Sequence, residues 1–147
     1  MAVKAVIDTN IWVSSLINPS GFPAQLRKSF EEGGFLPIIS EPLLAELGEV
    51  LKRPRIKEKY GITLDDIREL LILIEERSEH VLLAGDVAIC RDTDDNLVIE
   101  TAIKGQAQYI VTRDDDIKFD LKVIMFLSKE RISVTSVAQF LSIITKA

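Results

Sequence analysis

Short apolar runs alternate along the chain with longer stretches in which apolar residues recur at helical spacing. The short runs, bounded by turn-forming or acidic residues, predict buried strands, and the longer stretches predict helices. Strands are predicted over residues 3–7, 35–39, 80–83, 109–111 and 132–134. Helices are predicted over residues 11–17, 23–32, 41–53, 64–78, 97–104 and 137–144, and residues 117–131 have no predicted element. This alternation indicates a three-layer α/β/α domain with a central, mostly parallel sheet.

Polar residues at the predicted helix ends support several of these boundaries. Ser40 is predicted to cap the helix that follows it. Thr63 and Asp66 have the spacing of a capping box in which Asp takes the place of Glu. Gly105 comes directly after the helix over 97–104 and is predicted to be its C′ residue.

Acidic residues follow two of the predicted strands. Asp8 ends the first strand, and three consecutive aspartates come soon after the strand over 109–111. Because ligands of open parallel sheets bind at the carboxyl ends of the strands, we expect these acids to meet in one crevice. If the chain stays extended after that strand, Thr112, Asp114 and Asp116 share one face and Asp115 points away.

Two further acids complete a candidate cluster. Glu46 lies at the border of the apolar stripe on its helix, and Asp95 falls in the first turn of another helix. Carboxylates packed this closely repel one another unless a cation neutralises them, and Mg²⁺ or Mn²⁺ prefers such oxygen ligands. The hydroxyls of Thr9 or Thr112 and the amide of Asn10 are suited to orient those ligands or a water.

Each acid taken alone also has a structural explanation. Asp95 is as well explained as a helix cap, and Asp114 to Asp116 as a solvated turn. Glu46, considered singly, is better explained as an exposed helix residue. Asp8 is the hardest to explain in this way, because an aspartate at the end of an apolar strand tends to be buried and must then be compensated.

Length and composition limit the class of protein. The 147 residues suit one domain, expected to span residues 1–147, and one cysteine with one histidine excludes an internal disulfide or a Cys/His zinc site. No apolar run approaches the roughly 20 residues that span a bilayer, so the predicted location is the cytoplasm. The net charge of −5 argues against binding nucleic acid through overall charge, so any such contact must be local or metal-mediated.

A basic segment just after the Glu46 helix is a candidate for that local contact. It contains Lys52, Arg53, Arg55, Lys57 and Lys59. These side chains are suited to bind RNA phosphates beside a metal site, and a solvated loop with a short helix explains them equally well.

Large apolar side chains elsewhere have two interpretations each. Trp12 and Phe22 are able to stack on bases, but their positions near helix starts favour the core. The broad apolar surface of the helix over 64–78 suits a dimer or partner interface, although burial within one chain explains it nearly as well.

Four segments together resemble the PIN domain family, and most closely the VapC-like toxin components of toxin-antitoxin systems. They are Val6 to Asn10, Ser40 to Leu47, Arg91 to Asn96 with Ala102, and Tyr109 to Asp116. The segments occur in the family's order, and Asp95 precedes Ala102 by the family's helix spacing.

The resemblance implies a function as well as a fold. It implies a PIN-like nuclease in which Asp8, Glu46, Asp95 and Asp114 bind Mg²⁺ or Mn²⁺, with Asp116 in an accessory position. The implied activity is endoribonuclease cleavage of RNA. The implied partners are a cognate antitoxin protein and, since homodimers are common in the family, a second copy of the chain.

Two alternatives compete with an active ribonuclease. The first is a catalytically inactive PIN-like module that binds RNA or acts as a scaffold, against which the intact acid set argues. The second is another carboxylate-metal protein, either a haloacid dehalogenase phosphatase or a receiver domain. The phosphatase needs an aspartate where Asn10 stands, and the receiver's acidic pair before its aspartate-bearing strand is not found.

Overall fold

A parallel sheet forms the centre of the computed structural model, which describes residues 2–89, 93–113 and 120–146. The side chains of residues 93, 94 and 146 are outside this description. The strands are β1 (Lys4–Ile7), β2 (Leu36–Ser40), β3 (Glu79–Val81), β4 (Tyr109–Val111) and β5 (Ser133–Thr135). The helices are α1 (Thr9–Ile17), α2 (Phe22–Glu31), α3 (Glu41–Leu51), α4 (Pro54–Lys59), α5 (Leu64–Arg77), α6 (Thr93–Lys104), α7 (Leu121–Lys129) and α8 (Val137–Lys146).

The strand order β3-β2-β1-β4-β5 places the first strand at the centre of the sheet. All four neighbouring pairs are parallel, and the β1–β4 pair aligns Ile7 with Val111. Helices α3, α5 and α6 pack against the sheet, α6 on β1, β2 and β4 together. The three-layer α/β/α architecture predicted from the sequence is confirmed, and its central sheet is parallel throughout the described strands.

An aromatic cluster joins helices α1, α2 and α8. The rings of Trp12 and Phe30 lie 5.4 Å apart, and Phe35 lies 6.0 Å from Phe30 and 5.1 Å from Phe140. The prediction that Trp12 belongs to the core is therefore confirmed. The same prediction for Phe22 is wrong, because its side chain is 54% exposed at the start of α2.

Several predicted boundaries shift in the structure. Helix α6 begins at Thr93, four residues earlier than predicted, and the prediction that Asp95 lies in its first turn is confirmed. Strand β3 ends at Val81, and Leu82, which was predicted to lie within the strand, is almost fully exposed. Helix α4 lies in the basic segment, for which a solvated loop with a short helix is one of the two interpretations. Helix α7 lies in the segment 117–131, for which the sequence predicts no element. The Asp120 carboxylate caps α7 by accepting hydrogen bonds from two backbone N–H groups.

The end of α6 differs from its prediction. The left-handed residue is Gln106, with φ of 53°, and not Gly105. The backbone N–H of Ala107 donates to the carbonyl of Ala102, and that of Gln106 donates to the carbonyl of Ile103, which together form a Schellman motif. Gly105 is needed for another reason. A Cβ there would lie 2.5 Å from a side-chain carbon of Ile38 in strand β2.

The predicted capping box at the start of α5 is confirmed. The Thr63 hydroxyl accepts from the backbone N–H of Asp66, and the Asp66 carboxylate accepts from the backbone N–H of Thr63. Among the described helices, none is long and apolar enough to cross a membrane.

Candidate functional site

Asp8 joins the central strand β1 to helix α1. Its backbone N–H donates to the carbonyl of Val111 at 3.0 Å, which extends the β1–β4 pairing by one residue. It occupies the N-cap position of α1, but its side chain makes no capping hydrogen bond to that helix. The buried carboxylate is therefore directed to something other than helix capping.

The carboxylate of Asp8 is held by Thr112, the first residue after β4. The Thr112 hydroxyl donates to Oδ2 of Asp8 at 2.6 Å, and the Thr112 side chain is fully buried. The backbone N–H of Thr112 donates to the carbonyl of Thr135 on the other side. The hydroxyl that orients Asp8 is thus fixed by the sheet itself.

This pair lies where the order of the strands reverses. From β1 the chain adds β2 and β3 on one side of the sheet and then places β4 and β5 on the other. In open parallel sheets, ligands bind in the crevice outside the carboxyl ends of the strands at such a reversal. Asp8 and Thr112 are the first residues beyond the two strands that flank it.

Asp95 is the third residue of α6 and is buried. Helix α6 packs against both β1 and β4, the strands that precede Asp8 and Thr112, and also against α3. A carboxylate in the first turn of a helix is stabilised by the helix dipole. The Asp95 side chain is more deeply buried than is needed for a residue that only caps a helix at the surface.

Glu46 lies on α3 and is half-buried, next to the buried Leu47 and Gly48. On the same helix Glu49 is exposed and forms an ion pair of 3.2 Å with Arg53. The predicted position of Glu46 at the border of the apolar stripe is confirmed. Helix α3 packs against α1 and α6, so the elements that carry Asp8, Glu46 and Asp95 are neighbours.

The predicted ligand set is only partly within the described structure. Asp114 and Asp116 lie outside the described residues. Within residues 2–89, 93–113 and 120–146, no three His, Cys, Asp or Glu side chains form a group that is able to hold a metal ion. The structure thus gives the positions of Asp8, Glu46 and Asp95, and their joint action on a metal stays a prediction.

The other predicted residues lie at the beginning of α1 and on the basic segment. Thr9 is buried as the first residue of α1, and Asn10 is exposed as the second. Lys52, Arg53 and Arg55 are exposed and Lys57 is half-buried, around and within α4.

A buried carboxylate on α6 was not predicted from the sequence. Glu100 is only 1% exposed, and its oxygens accept from the backbone N–H groups of Ala84 at 2.6 Å and Gly85 at 3.1 Å. One helical turn earlier, Oδ1 of Asn96 accepts from the backbone N–H of Ile89 at 3.0 Å. Asn96 and Glu100 thus attach the segment after β3 to the helix that carries Asp95.

A pair of hydroxyls also joins α6 to the sheet. The hydroxyls of Ser40 and Thr101 lie 2.8 Å apart in the interior, and that of Thr101 donates to the carbonyl of Leu97. Ser40 is the N-cap residue of α3 as predicted, yet its side chain makes no capping hydrogen bond. Nothing in the local sequence signals these long-range contacts.

Comparison with known proteins places the chain in a family. A family profile described as PIN domain matches residues 4–116, from β1 to beyond β4. The chain belongs to the PIN domain family. The PIN domain is in general a nuclease fold, and PIN domains typically use divalent metals. All five predicted acids of this PIN domain fall within the matched span.

This PIN domain is also similar to the uncharacterized protein MJ1680 of Methanocaldococcus jannaschii. The two sequences are 33% identical over 117 residues, which is 78% of this chain and 73% of the relative.

The donor chemistry of the site fits a hard divalent cation. The side chains of Asp8, Glu46 and Asp95 offer carboxylate oxygens, and Thr112 adds a hydroxyl that orients one of them. Mg²⁺ and Mn²⁺ select carboxylate oxygen over nitrogen or sulfur ligands. The residues present therefore suit the kind of metal that PIN domains typically use.

Proposed function

We propose that this PIN domain is a metal-dependent endoribonuclease that hydrolyses phosphodiester bonds of RNA at the carboxyl edge of the sheet. The observation that carries the proposal is the buried carboxylate of Asp8, oriented by Thr112 at the reversal of strand order. Carboxylate oxygen is the ligand that Mg²⁺ and Mn²⁺ prefer, and a carboxylate that a hydroxyl already orients is well placed to hold such an ion.

The proposed metal ligands are Asp8, Glu46, Asp95 and Asp114, with Asp116 as an accessory. When bound, Mg²⁺ or Mn²⁺ activates a water and stabilises the charge that develops on the phosphodiester. The protein positions the carboxylate ligands. Thr112 fixes the orientation of the Asp8 carboxylate, and the fold places Asp95 and Glu46 on elements adjacent to it.

The proposed substrate is RNA in the cytoplasm. With a net charge of −5, the chain repels nucleic acid overall, so binding must rest on a local cationic surface. Lys52, Arg53, Arg55 and Lys57 provide such a surface around α4, after the helix that carries Glu46.

Metal-dependent cleavage tests the proposal. A labelled RNA is incubated with Mg²⁺ or Mn²⁺ and with wild-type protein, Asp8→Asn, or Asp66→Asn. Asp8→Asn keeps the shape of the side chain but removes its charge, so cleavage is expected to fall to background. Asp66→Asn makes the same chemical change in the exposed capping box of α5 and should cleave like wild type.

Two results would contradict the nuclease proposal. One is equal cleavage by wild type and Asp8→Asn, which would point to a contaminating nuclease or another site. The other is tight RNA binding by wild type with no cleavage under either metal. That second result would favour the alternative function, a catalytically inactive PIN-like module that binds RNA or acts as a scaffold.

We further propose that the nuclease is the toxin of a toxin-antitoxin pair. An antitoxin or a second copy of the chain needs an apolar surface to cover, and α5 presents Leu64 and Ile72, which are 55% and 46% exposed. Induced expression of wild type is expected to arrest growth, and Asp8→Asn is expected not to. Normal growth with active wild-type nuclease in the cell would contradict the toxin role without touching the nuclease proposal.

A further inference from the structure

A cavity of about 270 Å³ opens beside the first turn of α1. Asn10 lines it on the α1 side, and residues of α3 and the α4 segment line the other. Asn10 is two residues after Asp8, so the cavity adjoins the proposed metal site along the chain.

The cavity is cationic in a chain that is acidic overall. Arg53, Arg55 and Lys59 all line it, and none of its described lining residues is acidic. Arg53 also forms an exposed ion pair with Glu49, which leaves Arg55 and Lys59 as the stronger sources of positive charge. A site of this charge suits an anionic ligand.

The cavity also has an aromatic wall. Tyr60 lines it and is 42% exposed, so its ring is accessible from solvent. The ammonium of Lys59 lies 5.3 Å from the centre of the Tyr60 ring. Aromatic faces beside cations are the arrangement by which proteins bind single-stranded nucleic acid, because every base can stack and every phosphate can pair.

The other large surface cavities lack this combination. A cavity along α5 is lined by Glu31, Glu69 and Glu76 together with Arg77, and it has no aromatic residue among its described lining. Among the cavities described here, only the Tyr60 cavity combines several cations, an exposed ring and a residue two positions from Asp8.

We infer that this cavity is a nucleotide subsite of the nuclease, in which a base of single-stranded RNA stacks on Tyr60 while Arg55 and Lys59 hold a phosphate. The inference rests on the proposed function, and it adds to it a residue, Tyr60, on which an unpaired base stacks. A base held in a duplex does not present its face to the ring, so duplex RNA should bind more weakly here.

Binding without cleavage tests the subsite. The Asp8→Asn protein in EDTA is titrated into a labelled single-stranded RNA of about 12 nucleotides, within the site sizes of such binders. Adding Tyr60→Ala should weaken binding about tenfold, whereas Tyr60→Phe, which keeps the stacking face, should stay within about twofold. Phe22→Ala removes an aromatic side chain of α2 that is more exposed than Tyr60 and does not line the cavity, so it should have no effect.

Salt dependence separates the phosphate interactions from the stacking interaction. Removing one cation that pairs with a phosphate lowers the slope of log affinity against log salt by about 0.7 for a single strand. Arg55→Gln and Lys59→Gln should each lower the slope by about this amount, and Tyr60→Ala should leave it unchanged. Lys28→Gln, which removes a cation on α2, serves as the matched control.

Three results would overturn the subsite: unchanged binding by Tyr60→Ala, equal weakening by Tyr60→Ala and Phe22→Ala, or duplex RNA binding as tightly as the single strand. These outcomes are independent of the nuclease proposal. If RNA binding depends on Tyr60 but the wild-type protein does not cleave RNA, the subsite is supported and the nuclease proposal is contradicted. If the protein cleaves RNA but binding does not depend on Tyr60, the nuclease proposal is supported and the subsite is contradicted.

Discussion

The hydroxyl of Thr112 donates a hydrogen bond of 2.6 Å to the carboxylate of Asp8, across 104 positions of sequence. Both residues are buried and both directly follow neighbouring parallel strands. The Thr112 hydroxyl therefore helps to orient the carboxylate at the point where the strand order reverses. The proposed role of Asp8 as a metal ligand depends on that orientation.

Thr112→Val removes the hydroxyl and keeps the shape of the side chain. Loss of a residue that orients a metal ligand typically costs about 10- to 100-fold in metal affinity or activity. We expect the Mg²⁺ concentration for half-maximal RNA cleavage to rise within that range, as measured by initial rates over a metal titration. Thr112→Ser restores the hydroxyl and should recover most of the affinity. Identical metal dependence in Thr112→Val and wild type would show that the hydrogen bond does not serve the site.

Glu100→Gln tests the attachment of the segment after β3 to α6. The amide keeps one acceptor oxygen but presents a donor to one of the two backbone N–H groups now bound by Glu100. Loss of a buried hydrogen bond to a charged group costs about 1.5–3 kcal/mol, and urea unfolding should show a decrease in that range. Glu130→Gln, on the exposed end of α7, should lie within about 0.5 kcal/mol of wild type. Equal stability of the two variants would contradict a structural role for Glu100.

Gly105→Ala tests the close approach of α6 to the sheet. The added Cβ would lie 2.5 Å from a side-chain carbon of Ile38, and the Ile38 side chain is buried. We expect a decrease of about 1–3 kcal/mol in the free energy of unfolding, typical of overpacking. The companion variant Gln106→Gly should be neutral or stabilising, because glycine adopts the left-handed conformation found there without strain. A Gly105→Ala protein as stable as wild type would show that the helix shifts freely.

Thr63→Ala removes one half of the capping box of α5. Without this cap, the free energy of unfolding should fall by about 1 kcal/mol at neutral pH, measured by urea denaturation. Thr63→Ser keeps the capping oxygen and should retain most of that stability. A decrease as large in Thr63→Ser as in Thr63→Ala would mean that the hydroxyl does not act as a cap.

The capping box also predicts a pH dependence. The hydrogen bond from the Thr63 backbone, followed by that with its side chain, lowers the pKa of the Asp66 carboxyl below its ordinary value of 3.8. A carboxyl whose pKa is lowered by folding stabilises the fold above the unfolded-state value, and that contribution is lost as the pH falls through the folded-state value.

Urea unfolding of Asp66→Asn and wild type at several pH values measures this contribution. The difference in free energy of unfolding between the two proteins should be largest near neutral pH and should shrink as the pH falls below 3.8. Asp65→Asn, also in the first turn of α5, controls for the general effect of a negative charge at a helix start. A difference between wild type and Asp66→Asn that is constant with pH would contradict the assignment.

The parts of this fold that could be predicted are those set by local pattern. The apolar run before Asp8 predicts a buried strand, and in the structure the last three residues of β1 are buried, as is typical of a central parallel strand. Thr63 and Asp66 form a capping box because the motif is complete within four residues. The same apolar run predicts Asp8 at the end of the strand. The hydrogen bond that Asp8 accepts from Thr112 becomes visible only in the structure.

The rest depends on contacts between distant parts of the chain. Glu100 looks like any polar helix residue until the segment around Ala84 is seen to donate to it. Gly105 was expected to supply a left-handed conformation, but it is Ile38, 67 positions earlier in the printed sequence, that requires a glycine there. Tyr60 is a candidate binding residue only because the fold places it in the same cavity as Asn10. No periodicity in the sequence carries such information.

Anomalous scattering from a crystal soaked in Mn²⁺ tests most directly whether Asp8 and the acids near it bind a divalent metal where the strand order reverses. We predict a peak about 2 Å from a carboxylate oxygen of Asp8, with Glu46, Asp95 and Asp114 as its other protein neighbours. The peak should be absent from an Asp8→Asn crystal soaked in the same way. Mn²⁺ bound elsewhere, with the carboxylates of Asp8, Glu46 and Asp95 turned apart, would contradict the claim.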